Sequence, residues 1–387
     1  MRYSVDFLSE ARALAPEITS LREAIHRHPE AGNREFATAA LAERTLRELG
    51  IETSRPLKTA VMGVLRGGRP GKTAALRADM DALPVTEATG AAFASEIPGM
   101  MHACGHDVHM AGALGAAMLL SARREELAGE VRFLFQPDEE GYGGAQRMVE
   151  QGCMEGVSAA FGCHVSPTLP LGALGVRYGK FYAAADIFDV TVLGRSAHGA
   201  EREKGIDALG AAAGMVTALL ALPRSVLPER AVLSVGAFRA GAVRNVLADR
   251  AEFCGILRTL GPETRERMKR ALRETLELAA SKTGAGMELE LRPGYDGIVN
   301  TDAETNLVRR TAETLLGPDR VTELTEPTMT TEDFGCLIRA AGAGSFYHIG
   351  AGCEVPLHAA AFLPAPSVPV TAAAVHAAVL WEYLRGC

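Results

Sequence analysis

No stretch of this 387-residue chain approaches the roughly 20 consecutive apolar residues that a membrane-spanning helix needs. The first residues, MRYSVDFLSEARALAPEITS, carry charges throughout and lack the continuous apolar core and small-residue cleavage site of a signal peptide. The basic residues are spread along a chain of formal net charge −7 and form no stripe typical of nucleic-acid binding. We therefore expect a cytoplasmic protein that acts on a small molecule, with neither a membrane nor a nucleic acid as partner.

Internal repeats and the cysteine spacing of a disulfide framework are also missing. The seven cysteines are an odd number, and for most of them we expect scattered reduced thiols. Hydrophobic residues make up 48% of the chain and charged residues 22%, which is typical of a globular protein with a buried core. The length favours two domains over one.

Strands and helical segments alternate in the first part of the chain. Apolar runs bounded by Gly and Pro predict strands at 61–67, 73–79, 131–136 and 159–165. Helical patterns are found within 6–50, at 110–127 and at 144–152. Strands that alternate with helices favour an α/β sheet with helices packed against it.

A different order of elements is found in residues 183–296. Strands are predicted at 186–193, 231–238, 250–257 and 287–292, and helices at 206–222 and 262–281. This βαββαβ order is that of a ferredoxin-like unit, which is a self-contained topology. We therefore predict an α/β domain formed by residues 1–182 and 297–387, with a small domain inserted at 183–296.

Potential metal ligands gather after the predicted strands. Four segments place Asp, Glu, His or Cys there: LRADMDALP (76–84), MHACGHDVH (101–109), FQPDEEGYGG (135–144) and GCHVSP (162–167). The carboxyl ends of strands in an open α/β sheet border the crevice where ligands bind. A fifth segment, PLHAAAF (356–362), brings His358 to the same crevice if the last part of the chain completes the first domain.

Taken singly, each of these residues is better explained without a metal, because a lone His or Cys is usually a structural residue. Five such segments together favour a metal site, since buried carboxylates and imidazoles cost free energy unless they are paired or bind metal. Two divalent ions can polarise a carbonyl, and a base that is not a ligand must move the proton. The spacing does not assign these roles between Glu139 and Glu140. It also does not choose among His102, Cys104, His106, Asp107 and His109.

Six segments resemble those of the M20 family of metallopeptidases and amidohydrolases: RADMDALP, MHACGHDVHMAGALGAA, FQPDEEGYGGAQRMVEQG, GRSAH, TEDF and PLHAAAF. The similarity is to hippurate hydrolases, N-acyl-amino-acid amidohydrolases and plant auxin-conjugate hydrolases, and it runs from LREAIHRHPE almost to the C-terminus. It implies a zinc-peptidase-like catalytic domain with an inserted ferredoxin-like domain that serves dimerisation or covers the site. It also implies cleavage of the amide bond of N-acylated amino acids or similar small amides.

The resemblance assigns roles to individual residues. It implies two divalent metal ions, zinc or manganese with cobalt and nickel also suited, bound by Cys104, His106, Glu140, His164 and His358. Glu139 matches the general base, and Asp81 matches an aspartate that steadies a ligand. His198 matches a histidine that polarises the substrate carbonyl, often across a dimer, while Asn245 and Arg258 match substrate contacts. The chain departs from the family pattern at AHGAEREKG and at VLAD after Asn245, which leaves the preferred acyl group undetermined.

Three alternatives stay open. Cys104 could be a nucleophile with His106 or His164 as its partner, which would leave His358 and the Glu139–Glu140 pair without a role. A member of the same family could instead cleave short peptides as an aminoacyl- or carboxypeptidase. A protein of this fold could also bind a ligand without turnover, although the base and all five ligands are present here. We expect a homodimer formed through the small domain.

Overall fold

Helices and strands alternate along the first part of the chain in the computed structural model, which describes residues 5–225 and 229–386. In order they are α1 (Phe7–Ala13), α2 (Ala15–Arg27), α3 (Phe36–Glu48), β1 (Glu52–Ser54), β2 (Val61–Arg66), β3 (Arg69–Asp79), α4 (His106–Ser121), β4 (Ala128–Gln136), α5 (Gly144–Glu150), β5 (Ala159–Ser166), β6 (Leu174–Val176) and β7 (Gly179–Lys180). The four strands predicted here are confirmed. Strand β5 is buried along its whole length, as expected of a strand covered on both faces.

The middle of the chain forms a four-stranded antiparallel sheet with two helices. Its elements are β8 (Ala184–Leu193), α6 (Ala208–Ser225), β9 (Ala231–Ala240), β10 (Arg250–Thr259), α7 (Pro262–Thr283) and β11 (Gly286–Pro293), and the strand order is β11-β8-β10-β9. Alternate side chains of β8 pack with both helices in one hydrophobic core that includes Phe188, Met215 and Leu272. Helix α7 begins with Pro262 and ends before Gly284 in left-handed conformation, the ends that its sequence predicts. The βαββαβ order is confirmed.

The last part of the chain returns to the first sheet. Its elements are β12 (Val299–Asn300), α8 (Asp302–Leu316), β13 (Val321–Glu323), α9 (Gly335–Ala341), β14 (Gly344–Gly350) and α10 (Val368–Arg385). The large sheet has the order β1-β2-β4-β3-β5-β14-β6-β13, and the central strands β4, β3, β5 and β14 run parallel to one another. Their carboxyl ends therefore meet at one edge of the sheet.

Helices α4 and α10 approach each other closely at two glycines. A Cβ atom on Gly112 would lie 2.8 Å from the Cβ of Ala372, and one on Gly115 would lie 2.7 Å from the Cβ of Ala373. Neither glycine can gain a side chain unless the helices move apart. Because α4 begins at His106, this packing also fixes the position of the first turn of α4.

The chain divides into two compact units. The larger contains residues up to 179 together with 299–325 and the chain from 333 onward, and the smaller contains 180–298 and 326–332. Segment 326–332 lies outside the small domain that the sequence predicts at 183–296. Within the described ranges, no helix has both the length and the apolar character required to cross a membrane.

Candidate metal centre

The segments that carry potential ligands follow neighbouring parallel strands. Strand β3 ends at Asp79 and β4 at Gln136, so Asp81 comes just after one strand, and the Glu139–Glu140 pair follows the other. His164 lies near the end of β5. The side chains predicted to surround one crevice therefore start from adjacent positions of the larger unit.

A left-handed glycine joins the two ligands of the next segment. Gly105 has φ of 83° and immediately precedes α4. A Cβ atom there would lie 2.5 Å from Cγ2 of Val165, so both the backbone conformation and the space favour glycine. Cys104 and His106 are thereby placed on either side of this turn, against the end of β5.

Five side chains converge on one small volume. The Sγ atom of Cys104 lies 3.3 Å from Nε2 of His164 and 3.3 Å from Nε2 of His358. The Nε2 atom of His358 lies 3.1 Å from Oε1 of Glu140. Ligand atoms within 4.8 Å of one another form three groups around this point: Cys104, His106 and His164; Cys104, Glu140 and His358; and His106, Glu139 and Glu140.

Backbone carbonyl groups orient two of the imidazole rings. Nδ1 of His106 donates to the carbonyl oxygen of Asp81 at 2.8 Å, and Nδ1 of His164 donates to that of Val165 at 2.7 Å. The Nε2 lone pair of each ring is therefore directed away from these carbonyls. Nε2 of His106 is buried and makes no hydrogen bond among the described residues, although Oδ2 of Asp79 lies 3.6 Å away. This nitrogen, with thiol sulfur and carboxylate oxygen beside it, fits a borderline cation such as Zn²⁺ or Mn²⁺, which would take the place of the proton.

The electrostatics of the cluster also favour a cation. Burial and the charges of Glu140 and Glu139 raise the pKa of the Cys104 thiol well above its usual value. Burial alone would lower the pKa of His106, but the carboxylates around it, led by Asp79, raise the pKa to about 10. Negative charge thus accumulates around groups that a bound divalent ion would neutralise.

Asp81 holds the turn that carries the two glutamates. Its Oδ1 atom accepts the backbone N–H of Glu139 at 3.0 Å, and its Oδ2 atom accepts that of Glu140 at 3.0 Å. Its backbone carbonyl is the acceptor for His106 described above. One buried aspartate therefore fixes both a ring and a turn of the centre.

Comparison with known proteins identifies the family. The family model described as Peptidase family M20/M25/M40 matches residues 75–385. The chain belongs to this family. The resemblance found in the sequence motifs is thus confirmed, and so are the fold class and the expectation of a hydrolytic enzyme.

Individual relatives of this peptidase family cover most of the chain. The chain is 41% identical over 290 residues to an N-acyl-L-amino acid amidohydrolase of Geobacillus stearothermophilus, with 74% of this chain and 78% of that protein covered. It is 35% identical over 381 residues to thermostable carboxypeptidase 1 of Saccharolobus solfataricus, with 95% of this chain and 96% of that protein covered. A dinuclear metal-binding M20 peptidase of Bacillus subtilis has a similar structure, with a TM-score of 0.86, 33% identity and coverage of 97% and 100%.

Two polar residues of the 101–109 segment are engaged elsewhere. His109 accepts the backbone N–H of Val165 through Nε2 at 2.9 Å and donates from Nδ1 to Asp79 at 2.6 Å. Asp107 accepts from Nε of Arg22 and from Nδ1 of His26, each at 2.9 Å. Both nitrogens of His109 are therefore occupied, and Asp107 anchors the base of α4. The local sequence does not distinguish these two residues from ligands.

The three predicted substrate contacts lie in the smaller unit, where the segments of His198 and Asn245 adjoin each other and Arg258 lies apart from them. His198 forms an isolated bridge with Val246, and the Gly199 N–H donates to the Asn245 carbonyl at 2.8 Å. These segments extend the end of the sheet where Arg250 pairs with Leu193. Arg258 lies eight residues beyond Arg250 in β10, about 26 Å from it at the usual rise per residue of a strand. His198 and Arg258 therefore lie toward opposite ends of β10.

Sequence reasoning missed Glu35 and Arg77, two fully or nearly fully buried charged residues. Nη1 of Arg77 donates to Asp79 at 2.7 Å, and its Nη2 donates to Asp333 at 3.0 Å. The sequence does contain a sign of the role of Arg77, because an arginine inside the buried strand TAALRAD must be paired with acids. Glu35 had none, because its partner Asp138 is remote in sequence.

Proposed function

We propose that this chain hydrolyses the amide bond of N-acylated amino acids, with two divalent metal ions held by Cys104, His106, Glu140, His164 and His358. The observation that carries the proposal is the convergence of these five donors beside Glu139, with Nε2 of His106 buried and without a hydrogen bond among the described residues. When bound, a pair of divalent ions supplies Lewis-acid polarisation of the amide carbonyl and lowers the pKa of a water molecule. Zinc or manganese is the expected metal, since both suit nitrogen, oxygen and sulfur donors.

Glu139 is the proposed proton carrier. Its neighbour Glu140 is the one placed beside His358 and Cys104, which leaves Glu139 to take a proton from water and deliver it to the leaving nitrogen. Glu139 is buried, and its own backbone N–H is fixed by Asp81. Holding the backbone in this way limits the directions in which the carboxylate can point and so reduces the reorganisation before proton transfer.

The geometry around Cys104 argues against a thiol nucleophile. A Cys–His pair does exist, at 3.3 Å from His164. However, burial lowers the pKa of His164, while burial and adjacent acids raise the pKa of Cys104, so the pair favours a thiol and a neutral imidazole. The second imidazole at the same distance, that of His358, is explained by metal ligation.

The substrate carries a free carboxylate beside the scissile amide. One relative is named as an amidohydrolase of N-acyl amino acids and another as a carboxypeptidase. The group attached to the nitrogen of the released amino acid differs between them, but both names describe release of a C-terminal amino acid. Arg258, half-buried in β10, is the proposed contact for this carboxylate. Short peptides are the second candidate substrate, favoured by the coverage of the carboxypeptidase relative.

A homodimer through the smaller unit is the proposed assembly. Helix α6 exposes a face without a charged side chain, which includes Leu209 and Leu220, exposed by 44% and 49%. Leu209 lies beside Gly241 at the end of the edge strand β9, so this face continues into an unpaired strand edge within the described chain. A second copy of the chain would cover both the apolar face of α6 and the edge of β9. His198 would then act at the metal centre of the partner subunit.

A cytoplasmic location is part of the same proposal. Six cysteines lie within the described residues, and none of these six forms a disulfide. Reduced thiols of this kind are typical of proteins kept in a reducing compartment.

Metal content and turnover on a substrate panel test the proposed function. We expect about two metal ions per chain and hydrolysis of some N-acetyl or N-benzoyl amino acids, with dipeptides measured in parallel. Glu139→Ala should retain metal and lose at least about 100-fold in kcat, because the proton transfer has no other carrier. Metal-free active protein, or wild-type kcat in this variant, would refute the proposal.

A further inference from the structure

Glu35 stands at the start of α3 but does not cap the helix. It is fully buried and occupies the N-cap position, yet its side chain accepts no N–H group of α3. Glu30 caps the helix instead, because its carboxylate accepts the N–H groups of Ala37 at 3.1 Å and Thr38 at 2.9 Å. The buried carboxyl of Glu35 therefore serves a different segment.

The segment that Glu35 serves is the turn before the two glutamates of the metal centre. Its Oε1 atom accepts the Asp138 N–H at 2.9 Å and the Asn33 N–H at 3.0 Å. Both residues are left-handed, with φ of 60° at Asp138 and 62° at Asn33. This conformation costs a residue with a side chain about 1 kcal/mol or more and persists where the surroundings hold it. One oxygen of Glu35 thus bridges two strained peptides.

The side chain of Asp138 is enclosed within the same turn. Its Oδ2 atom accepts from Nδ2 of Asn33 at 2.7 Å and from Nη2 of Arg147 at 2.8 Å. A Cβ atom on Gly32 or on Gly141 would lie 2.2 Å from its Oδ1 atom. The turn is therefore packed for one arrangement of Asp138 and has no room for a second.

Three consecutive peptide N–H groups are held by two buried carboxyl groups: that of Asp138 by Glu35, and those of Glu139 and Glu140 by Asp81. We propose that Glu35 is a positioning residue for the metal centre, which fixes the peptide of Asp138 so that Glu139 and Glu140 keep the directions their roles require. This inference rests on the proposed function, because it takes Glu139 as the general base and Glu140 as a ligand. Glu35 itself touches neither substrate nor metal.

Two substitutions separate the hydrogen bond from the volume of the side chain. Glu35→Gln keeps an acceptor oxygen at the same place and the approximate shape of the side chain. Glu35→Leu keeps the approximate volume and removes the acceptor. We expect Glu35→Leu, assayed as metal-saturated protein, to lose about 10- to 100-fold in kcat with KM unchanged, and Glu35→Gln to restore most of the loss.

Hydrogen–deuterium exchange of the peptide covering 137–143 provides a readout that does not depend on activity. The Asp138 N–H should exchange faster in Glu35→Leu than in the wild type, and the Gln variant should restore protection. Should the Leu variant fail to fold, Glu35→Asp, which withdraws the acceptor by one methylene, gives the same two measurements. Wild-type kcat together with wild-type exchange in whichever variant folds would overturn the inference.

Glu30→Leu is the matched structural control, because it removes the cap of α3 and leaves the Asp138 peptide alone. It should lower the melting temperature and keep kcat per metal-loaded chain. If it reduced kcat as much as Glu35→Leu, the effect would belong to the α3 terminus in general, and the inference would fail.

Glu139→Gln, measured alongside, separates the two proposals. Full activity in that variant refutes the proposed function itself. An inactive Glu139→Gln with a fully active Glu35→Leu refutes only the positioning role.

Discussion

One carboxylate oxygen of Asp81 accepts the backbone N–H of Glu139 at 3.0 Å, while the other accepts the next N–H along the chain at the same distance. A carboxylate is the side chain suited to this task, because it offers two acceptor oxygens and no donor. The backbone carbonyl of Asp81 also accepts the Nδ1–H of His106. Asp81 therefore fixes both the turn of the two glutamates and the ring of His106.

Asp81→Asn should therefore impair the enzyme even though the side chains are isosteric. The amide would direct its Nδ2–H₂ group at one of the two backbone N–H groups, leaving that N–H buried and unsatisfied at a cost of about 1–3 kcal/mol. We expect kcat to fall about 10-fold or more, as measured by steady-state kinetics on metal-saturated protein. Asp6→Asn, at the exposed N-cap of α1, is the control and should leave kcat unchanged. Equal activity of the Asp81 variant and the wild type would contradict the anchoring role.

Removal of the metal should destabilise the fold as well as abolish activity. Burial and nearby charge raise the pKa values of Cys104 and His106, and a divalent ion would replace their protons. Because the ion binds the folded chain, it raises the stability of the fold by mass action. Treatment with a chelator should lower the melting temperature in calorimetry. Addition of Zn²⁺ or Mn²⁺ should restore both the melting temperature and turnover. An apo-protein with an unchanged melting temperature would speak against metal binding at this cluster.

Charge on the exposed face of α6 should separate the proposed dimer. Leu209→Glu and Leu220→Glu place carboxylates on a face that a second copy would bury, and an unpaired buried charge is strongly unfavourable. Light scattering coupled to size exclusion should report monomers. Leu278→Glu is the matched control, because Leu278 is 56% exposed on α7 and lies outside this face. A monomeric wild type, or dissociation by Leu278→Glu alone, would remove the support for an α6 interface.

Mixed dimers can decide whether His198 acts on the partner's site. Glu139→Gln and His198→Ala should each be nearly inactive alone. After the two variants are mixed and allowed to exchange subunits, one site of each hybrid combines an intact Glu139 with an intact His198 from the other chain. Random exchange should then restore about a quarter of wild-type activity. No recovery in mixtures whose exchange is demonstrated by mass spectrometry would show that His198 acts within its own chain or not at all.

His376 should make the stability of the larger unit dependent on pH. Its Nδ1 atom lies 2.6 Å from the hydroxyl of Tyr347, and burial, with a smaller effect of His109, lowers its pKa from 6.5 to about 3. Since the unfolded chain takes up the proton first, the stabilisation is complete above pH 6.5 and is lost as the pH falls from 6.5 toward 3. Near pH 5 the loss is about 2 kcal/mol.

Urea unfolding of metal-free protein at pH 7.5 and 5 measures this loss. His376→Gln should show a smaller decrease in unfolding free energy between the two pH values, because glutamine does not titrate in this range. His28→Gln, at an exposed histidine, should retain the wild-type decrease. Identical decreases in all three proteins would rule out His376 as the source.

Much of the metal centre could be predicted from the sequence because its ligands lie in short motifs at strand ends. The apolar run 159–165, bounded by turn residues, forms the buried strand β5, so the end of that strand is locally encoded. The motif resemblance then assigned Cys104, His106 and His358, and the structure brings these three residues together with Glu140 and His164. The βαββαβ order of the smaller unit was equally local, because each helix and strand carries its own hydrophobic period.

The roles of other polar residues were decided by tertiary structure alone. His109 and Asp107 have the same residue types as ligands, and only the contacts with Val165 and Arg22 show that they serve the framework. Glu35 meets Asp138 across 103 residues of sequence, a pairing that no local pattern encodes.

The wide separation of His198 and Arg258 likewise follows from the strand register between β8 and β10. Hydrophobic periodicity and motif spacing act over a few residues, so they determine elements and ligand types. The pairing of buried polar groups is set by the three-dimensional packing. Each buried donor or acceptor needs a hydrogen-bond partner, and the fold decides which residue is close enough to provide it.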